Sequence, residues 1–161
     1  MAIDVRVEVV QPRTLAAVRR RVPMGAVASA WRPALDQVWA FLRSQPGLRT
    51  DGHNIFLYHH AARRGDPMSV DFGVEVTRSF SPSGEVHEAT TPAGEAAVAV
   101  HRGGYDQLHG AHEAVHQWAK SHDRVFAGTS WEIYGDWSDD PSKLETIVAY
   151  LLAPVSPCAP V

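Results

Sequence analysis

The stretch SWEIYGDW, residues 130–137, places one carboxylate among large apolar side chains. Its aromatic and β-branched residues predict a β-strand, because such side chains pack well on a pleated surface. Side chains alternate along a strand, so Trp131 and Ile133 share one face, while Glu132 and Tyr134 share the other. We expect Trp131 and Ile133 to pack under helices, which leaves Glu132 and Tyr134 on the face that looks away from them. A carboxylate in apolar surroundings needs a partner, and a cationic ligand is one such partner.

The face predicted to carry Glu132 is unusually aromatic. Phe56 and Tyr58 come to it from one half of the chain, and Tyr134 and Tyr150 from the other. Two interpretations are open: the face is wet and Glu132 is an ordinary surface acid, or the face is the wall of a pocket. In a pocket, the carboxylate and the negative faces of the rings would select lipophilic cations.

Histidine is the other residue type with the chemistry to form a site. His109, His112 and His116 are spaced to lie on one flank of a helix, where three imidazoles could hold zinc. The alternative is a solvated flank beside the apolar stripe of that helix. We predict no metal site, because no fourth ligand is evident, and no cofactor, because no phosphate-binding loop is present. Ser130 lacks the context of a nucleophile elbow, and Cys158 lies in a proline-rich tail, so neither is predicted to be a nucleophile.

Hydrophobic periodicity predicts the elements that position these residues. The predicted strands are 5–10, 14–22, 54–60, 68–76, 85–90, 95–102, 129–137 and 144–152, and the predicted helices are 28–43 and 105–122. The first two strands, separated by Gln11 and Pro12, are predicted to pair with each other in antiparallel fashion.

The order of these elements occurs twice. Strand, helix, strand and strand fill residues 12–76 and again residues 92–152, and the two repeats open with the similar stretches PRTLAAV and PAGEAAV. An internal repeat of this kind predicts two modules around a pseudo-twofold axis, with a ligand cleft at their seam. We therefore predict one α+β domain over residues 1–153, an antiparallel sheet with two helices on one face, and a flexible tail over 154–161.

Composition excludes several functional classes. The 161-residue chain is 45% hydrophobic, which predicts a packed globular domain. Its formal net charge of −3 and its lack of a basic stripe argue against nucleic-acid binding. No apolar run approaches the roughly 18–20 residues that a membrane span needs. The single cysteine leaves no pair for an internal disulfide, so the cytoplasm is the expected location.

Two stretches carry a resemblance to a known family. HRGGYDQL at 101–108 places a histidine, a glycine-tyrosine turn and a leucine at a strand-to-helix junction, and WEIYGDW at 131–137 is a strand with a central glutamate. Both resemble the GyrI-like small-molecule-binding family, whose domain is also the effector-binding domain of MerR- and AraC-type multidrug-sensing regulators. The resemblance covers about residues 3–153. It implies two strand–helix–strand–strand modules with a ligand cleft at their seam.

The resemblance also implies roles for individual residues. Glu132 would be the pocket carboxylate, and the rings of Tyr134, Tyr150, Phe56 and Tyr58 would form a stacking surface around the ligand. Trp39 and Trp118 are expected to approach the cleft from the two helices, with packing in the core as the alternative for each.

Three functions are compatible with this reading of the sequence. We expect a stand-alone binder of lipophilic, often cationic small molecules, because no helix-turn-helix segment precedes the first strand. The family also includes hydrolases of strained cyclopropane-bearing compounds. As such an enzyme, the chain would use Glu132 as general base and Tyr134 or Tyr150 to orient the electrophile. It further includes gyrase inhibitors, and in that case the partner would be a protein such as a topoisomerase. The sequence leaves these alternatives open.

Overall fold

The computed structural model describes residues 3–23, 25–63 and 65–155. The strands are β1 (Val5–Val10), β2 (Thr14–Val22), β3 (Asn54–His59), β4 (Met68–Glu75), β5 (Val86–Thr90), β6 (Gly94–Arg102), β7 (Phe126–Tyr134) and β8 (Glu145–Leu152). The helices are α1 (Val27–Arg43) and α2 (His109–Ser121), and short 3-10 helices cover Tyr105–Gln107 and Pro141–Lys143. No helix in the described ranges is long and apolar enough to cross a membrane. Most of the predicted tail, including Cys158, lies outside the described residues.

Both helices are amphipathic and bury one stripe against the sheet. The buried residues of α1 recur every three or four positions: Ala34, Leu35, Val38, Phe41 and Leu42. Those of α2 are four residues apart: Ala111, Val115 and Ala119. The stripe of α1 rests mainly on β2 and β4, and that of α2 on β6. The second helix starts later than predicted, because Tyr105–Gln107 forms a separate 3-10 helix before it.

The eight strands form one antiparallel sheet in the order β1-β6-β8-β7-β3-β4-β2-β5. β3 and β7 pair at its centre, where Phe56 is opposite Glu132. Outward from this seam, β4, β2 and β5 follow on one side, and β8, β6 and β1 follow in the matching order on the other. The α+β class predicted from the sequence is confirmed. The pseudo-twofold axis stays a prediction that this matching order favours.

The predicted pairing of the first two strands is wrong. β1 pairs with β6, with Val5 opposite Ala99, whereas β2 lies between β4 and β5. A tight hairpin turn needs residues that accept a positive φ, and the connector at 11–13 contains no glycine, asparagine or aspartate. The connector instead links the two halves of the sheet, and the Arg13 amide donates to the Thr91 hydroxyl at 2.8 Å.

The strand that carries Glu132 is also shifted from its predicted limits. β7 covers Phe126–Tyr134 rather than 129–137. Its register against β8 shifts between Phe126 and Ser130, where Gly128 has a φ of 96°. Beyond this irregularity Phe126 pairs with Leu152 of β8, so the strand begins three residues before its predicted start.

The helices cover the face of the sheet that carries Glu132 and Tyr134, and this corrects the predicted assignment of faces. Tyr134 packs against the buried clusters beneath both α1 and α2. Trp131, which is 3% exposed, and Ile133 lie on the opposite face, in a cluster whose described members all come from strands. Alternation along the strand was predicted correctly. Because the sheet buries both of its faces, the hydrophobicity of Trp131 and Ile133 did not identify the helical side.

Candidate functional site

A cavity of about 680 Å³ lies between the two helices and the sheet. Its wall comes from three parts of the fold: Trp31, Leu35 and Trp39 of α1; Leu108, His109 and His112 at the start of α2; and Phe56, Tyr58, Glu132 and Tyr134 of the central strands. More exposed residues border it, namely His53, Tyr105, Asp136 and Trp137. The seam at which β3 meets β7 therefore forms the floor of the cavity, between one helix from each half of the chain.

The Glu132 carboxylate lies on this floor, and the residue is 4% exposed. Its Oε1 atom accepts hydrogen bonds from the hydroxyls of Tyr58 and Tyr134, the latter at 2.7 Å. Its Oε2 atom accepts a hydrogen bond from Nε2 of His112, also at 2.7 Å. Three donors thus stabilise a carboxylate that burial would otherwise penalise. None of these three donors carries a permanent positive charge.

The tyrosine hydroxyls around Glu132 keep their protons. Burial, followed by the charge of Glu132, raises the pKa of Tyr58 and of Tyr134 far above the ordinary value. Burial and the same charge also raise the pKa of Tyr150. A hydroxyl whose pKa is raised in this way stays a hydrogen-bond donor throughout the physiological range of pH. Tyr58 and Tyr134 are therefore fixed donors to the carboxylate.

Behind His112, a further set of polar groups continues away from the cavity. The Tyr150 hydroxyl lies 2.7 Å from Nδ1 of His112, and Tyr150 is opposite Ser130 where β8 pairs with β7. The buried Ser130 hydroxyl lies 2.6 Å from Nε2 of His60, whose ring stacks on Tyr150. Hydrogen bonds therefore join Glu132 through His112 to Tyr150, and the pair formed by Ser130 and His60 lies beside them.

The cavity brings together most of the predicted ligand-binding residues, namely Glu132, Tyr134, Phe56, Tyr58 and Trp39. Tyr150 lies outside the wall, because His112 stands between its hydroxyl and Glu132. Trp118 also lies outside: it packs against the cluster beneath α2 and stacks on His122. Only the first turn of α2 borders the cavity, and Trp118 lies more than one turn beyond it. Whether the residues of the wall bind a ligand stays a prediction.

Several residues of the wall were not predicted from the sequence. Trp31, Arg49, Tyr105 and Trp137 border the cavity but were not identified as site residues. A loop residue such as Arg49 has no periodic pattern, so nothing in the sequence indicated its place. The guanidinium of Arg49 lies over the Trp39 ring, 4.7 Å from its centre, and this contact required the folded chain to be seen.

The three histidines considered as zinc ligands contact different parts of the structure. His109 borders the cavity, His112 contacts Glu132, and His116 packs against Tyr150 and Phe126. Within the ranges that the structure describes, no three histidine, cysteine, aspartate or glutamate side chains are grouped to hold a metal ion. The sequence pattern located His112 correctly on its helix flank but did not indicate its carboxylate partner.

Solved structures with this fold include both binding proteins and proteins described as enzymes. The C-terminal domain of EcmrR aligns with 96% of this chain and 100% of its own, at 22% identity and a TM-score of 0.79. In a cryo-EM complex of EcmrR with DNA, the aligned part is 59% of the EcmrR chain, again at 22% identity, with a TM-score of 0.78. A hydrolase from Listeria innocua aligns over 94% of this chain and 93% of its own, at 11% identity and a TM-score of 0.63.

A fourth similar structure contains a ligand. SAV2435 bound to tetraphenylphosphonium aligns over 93% of this chain and 94% of its own, at 12% identity and a TM-score of 0.65. At these identities the solved structures establish the fold alone. Among curated proteins, no sequence matches this chain. The family model of the GyrI-like small molecule binding domain matches residues 3–151, so the chain belongs to the GyrI-like small-molecule-binding family.

Proposed function

We propose that this protein binds lipophilic, often cationic small molecules in the cavity between its helices and its sheet. Membership of a small-molecule-binding family supports the general activity. The tetraphenylphosphonium held by one protein of similar fold supports the chemical class of the ligand. The single cysteine favours the reducing cytoplasm as the place of action.

The observation that carries the proposal is the charge balance around Glu132. This buried carboxylate faces the cavity, and its protein partners are two hydroxyls and one imidazole. Hydrogen bonds from neutral donors stabilise a carboxylate but leave its net charge in place. A lipophilic cation in the cavity would neutralise that charge in surroundings where water competes little, and this is where a charge pair contributes most.

Aromatic rings in the wall supply the second part of the recognition. Trp31, Trp39, Phe56 and Tyr134 present apolar surface and ring faces, which attract both aromatic ligands and cations. Arg49 gives a direct example, because its guanidinium already lies over the Trp39 ring. The wall thus offers both apolar surface and ring faces to a cation that carries aromatic groups.

Titration with tetraphenylphosphonium by isothermal calorimetry tests the proposal. Triphenylphosphine oxide, which has similar rings and no net charge, is the matched ligand. We expect saturable binding of both and tighter binding of the cation, with a rise in the midpoint of thermal unfolding when either ligand binds. Failure of both ligands to bind would contradict the proposed function, and tighter binding of the neutral ligand would contradict its preference for cations.

Hydrolysis is a second candidate function, and the Glu132–His112 pair is the observation that favours it. A carboxylate in contact with an imidazole can take up and pass on a proton, which is what a general base requires. A protein of similar fold is described as a hydrolase, which supports the class of reaction. Incubation with a strained cyclopropane-bearing compound, followed by mass spectrometry, tests this candidate. Recovery of the unchanged compound at stoichiometric protein would contradict it. The predicted protein partner, a topoisomerase, stays a prediction.

A further inference from the structure

His112 is the titratable side chain in contact with the carboxylate on the cavity floor. Its Nε2 atom lies 2.7 Å from Oε2 of Glu132, and its side chain is 24% exposed and borders the cavity. When His112 is protonated, the pair with ionised Glu132 has no net charge. When His112 is neutral, the pair carries one negative charge. The floor of the cavity therefore carries one more negative charge when His112 is neutral than when it is protonated, and a ligand would contact it there.

The surroundings of His112 accommodate both forms without losing a hydrogen bond. In the neutral form, Nε2–H donates to Glu132, and Nδ1 accepts from the Tyr150 hydroxyl. In the protonated form, Nε2–H still donates to Glu132, and Nδ1–H donates to the Tyr150 oxygen. Because a hydroxyl can both donate and accept, the change of protonation needs no movement of heavy atoms.

The three tyrosines and two of the histidines around His112 favour their uncharged forms. Its strand neighbours are Glu132, Tyr58, Tyr134 and Tyr150, and its histidine neighbours are His109 and His116 on α2 and His60 after β3. Burial raises the pKa of each of the three tyrosines, so they stay neutral. Partial burial, followed by repulsion from neighbouring histidines, lowers the pKa of His60 and of His116, so these rings favour the neutral form.

We propose that His112 determines the charge preference of the cavity: its neutral form admits lipophilic cations, and its protonated form disfavours them without disfavouring uncharged ligands. This inference rests on the proposed function, since it concerns the same cavity. Binding of a cation to the protonated form then releases the Nδ1 proton of His112 to the buffer.

The test measures the affinity of tetraphenylphosphonium at several values from about pH 5.5 to about pH 8.5, which bracket the ordinary imidazole pKa of about 6.5. This ligand carries a permanent charge and does not titrate. We expect its affinity to rise with pH by up to about tenfold per unit over the range in which His112 is protonated, and then to level off. Triphenylphosphine oxide should bind equally at every pH. Calorimetry in two buffers of different ionisation enthalpy should show proton release for the cation at the low end of the range.

The variant His112→Gln isolates the residue responsible. A glutamine amide can still donate to Glu132, but it does not titrate. In this variant, tetraphenylphosphonium should bind with the same affinity at every pH. His122→Gln, which changes a histidine at the far end of α2, should keep the wild-type pH dependence. Circular dichroism at each pH verifies that the proteins compared are folded.

The outcomes separate this inference from the function on which it rests. Binding of the cation with a flat pH profile in the wild type, or an unchanged pH profile in His112→Gln, would overturn the role of His112 and leave the proposed function intact. No binding of tetraphenylphosphonium at any pH would refute the preference for cations and this inference together. Equal pH dependence for the charged and the uncharged ligand would indicate a change in the fold and would also overturn the inference.

Discussion

Replacement of Glu132 by glutamine separates charge from shape on the floor of the cavity. Glutamine is nearly the same size, and its carbonyl oxygen can still accept the hydroxyls of Tyr58 and Tyr134. Its amide then faces His112, which can present an unprotonated Nε2 as acceptor and donate from Nδ1 to Tyr150 instead. The substitution therefore removes one negative charge while every hydrogen bond at this position keeps a donor and an acceptor.

The expected loss of affinity follows from Coulomb's law. Two unit charges about 6 Å apart at an effective dielectric constant of about 20 attract each other by about 3 kcal/mol. The ligand gives up hydration when it enters the cavity, so the net loss for a cation should be about 1–3 kcal/mol. This corresponds to roughly 5- to 150-fold weaker binding. An uncharged ligand of the same shape should lose less than about threefold, because no charge pair is broken.

Calorimetric titration of the wild type and of Glu132→Gln with tetraphenylphosphonium and triphenylphosphine oxide measures both quantities. A selective loss for the cation supports the electrostatic role of Glu132. Equal losses for the two ligands would show that the substitution disturbed packing rather than charge, and unchanged affinity for the cation would refute the argument outright. Thermal unfolding without ligand provides the control, since the hydrogen bonds retained at this position predict a similar midpoint for both proteins.

Two further predictions concern residues around the cavity and beneath the other face. Trp39→Ala should weaken binding of both the charged and the neutral aromatic ligand by about 1–2 kcal/mol in calorimetric titrations. Trp118→Ala should leave both affinities unchanged but lower the free energy of unfolding, which urea denaturation measures. Asp71→Asn should lower the free energy of unfolding at pH 7 by about 2–3 kcal/mol. This is the low end of the cost of breaking a buried ion pair, because Arg19 is half exposed and solvent screens its charge. Burial acts to raise the pKa of Asp71, but hydrogen bonds from His59 and Arg19 outweigh it and lower that pKa well below its usual range. The advantage of the wild type should therefore persist above about pH 4 and decline as the pH falls further, and equal stability at pH 7 would contradict this account.

The sequence predicted the class of the fold and most of the elements because their signals are local. Periodicity located both helices to within a few residues, and alternation placed Glu132 and Tyr134 together on one face of β7. Long-range partners carry no local signal. The pairing of β1 with β6 joins residues about ninety positions apart, and nothing within Val5–Val10 distinguishes β6 from β2 as its neighbour.

The wrong assignment of the helical face has a similar cause. Trp131 and Ile133 are as hydrophobic as any helix-facing pair, yet strands alone cover them in the described part of the chain. Glu132 and Tyr134 were expected to look away from the helices only because Trp131 and Ile133 were assigned to the helical side. In the folded chain the hydroxyls of Tyr58 and Tyr134 meet Glu132, and this satisfies the polar ends while the rings stay buried.

Two buried acids of the sheet, Asp71 and Glu132, have different partners although their sequence settings are alike. Each interrupts a strand of apolar and small residues, in SVDFG and in SWEIY. Asp71 accepts two hydrogen bonds from Arg19, each at 2.9 Å, and a third from His59 at 2.8 Å, so a permanent cation of the protein compensates its charge. Glu132 has two hydroxyls and His112, which is cationic only when protonated. Asp71 is compensated by Arg19 and needs no ligand. Glu132 faces a cavity and is compensated by a cation of the protein only when His112 is protonated, so it is where the proposed cationic ligand would complete the charge balance.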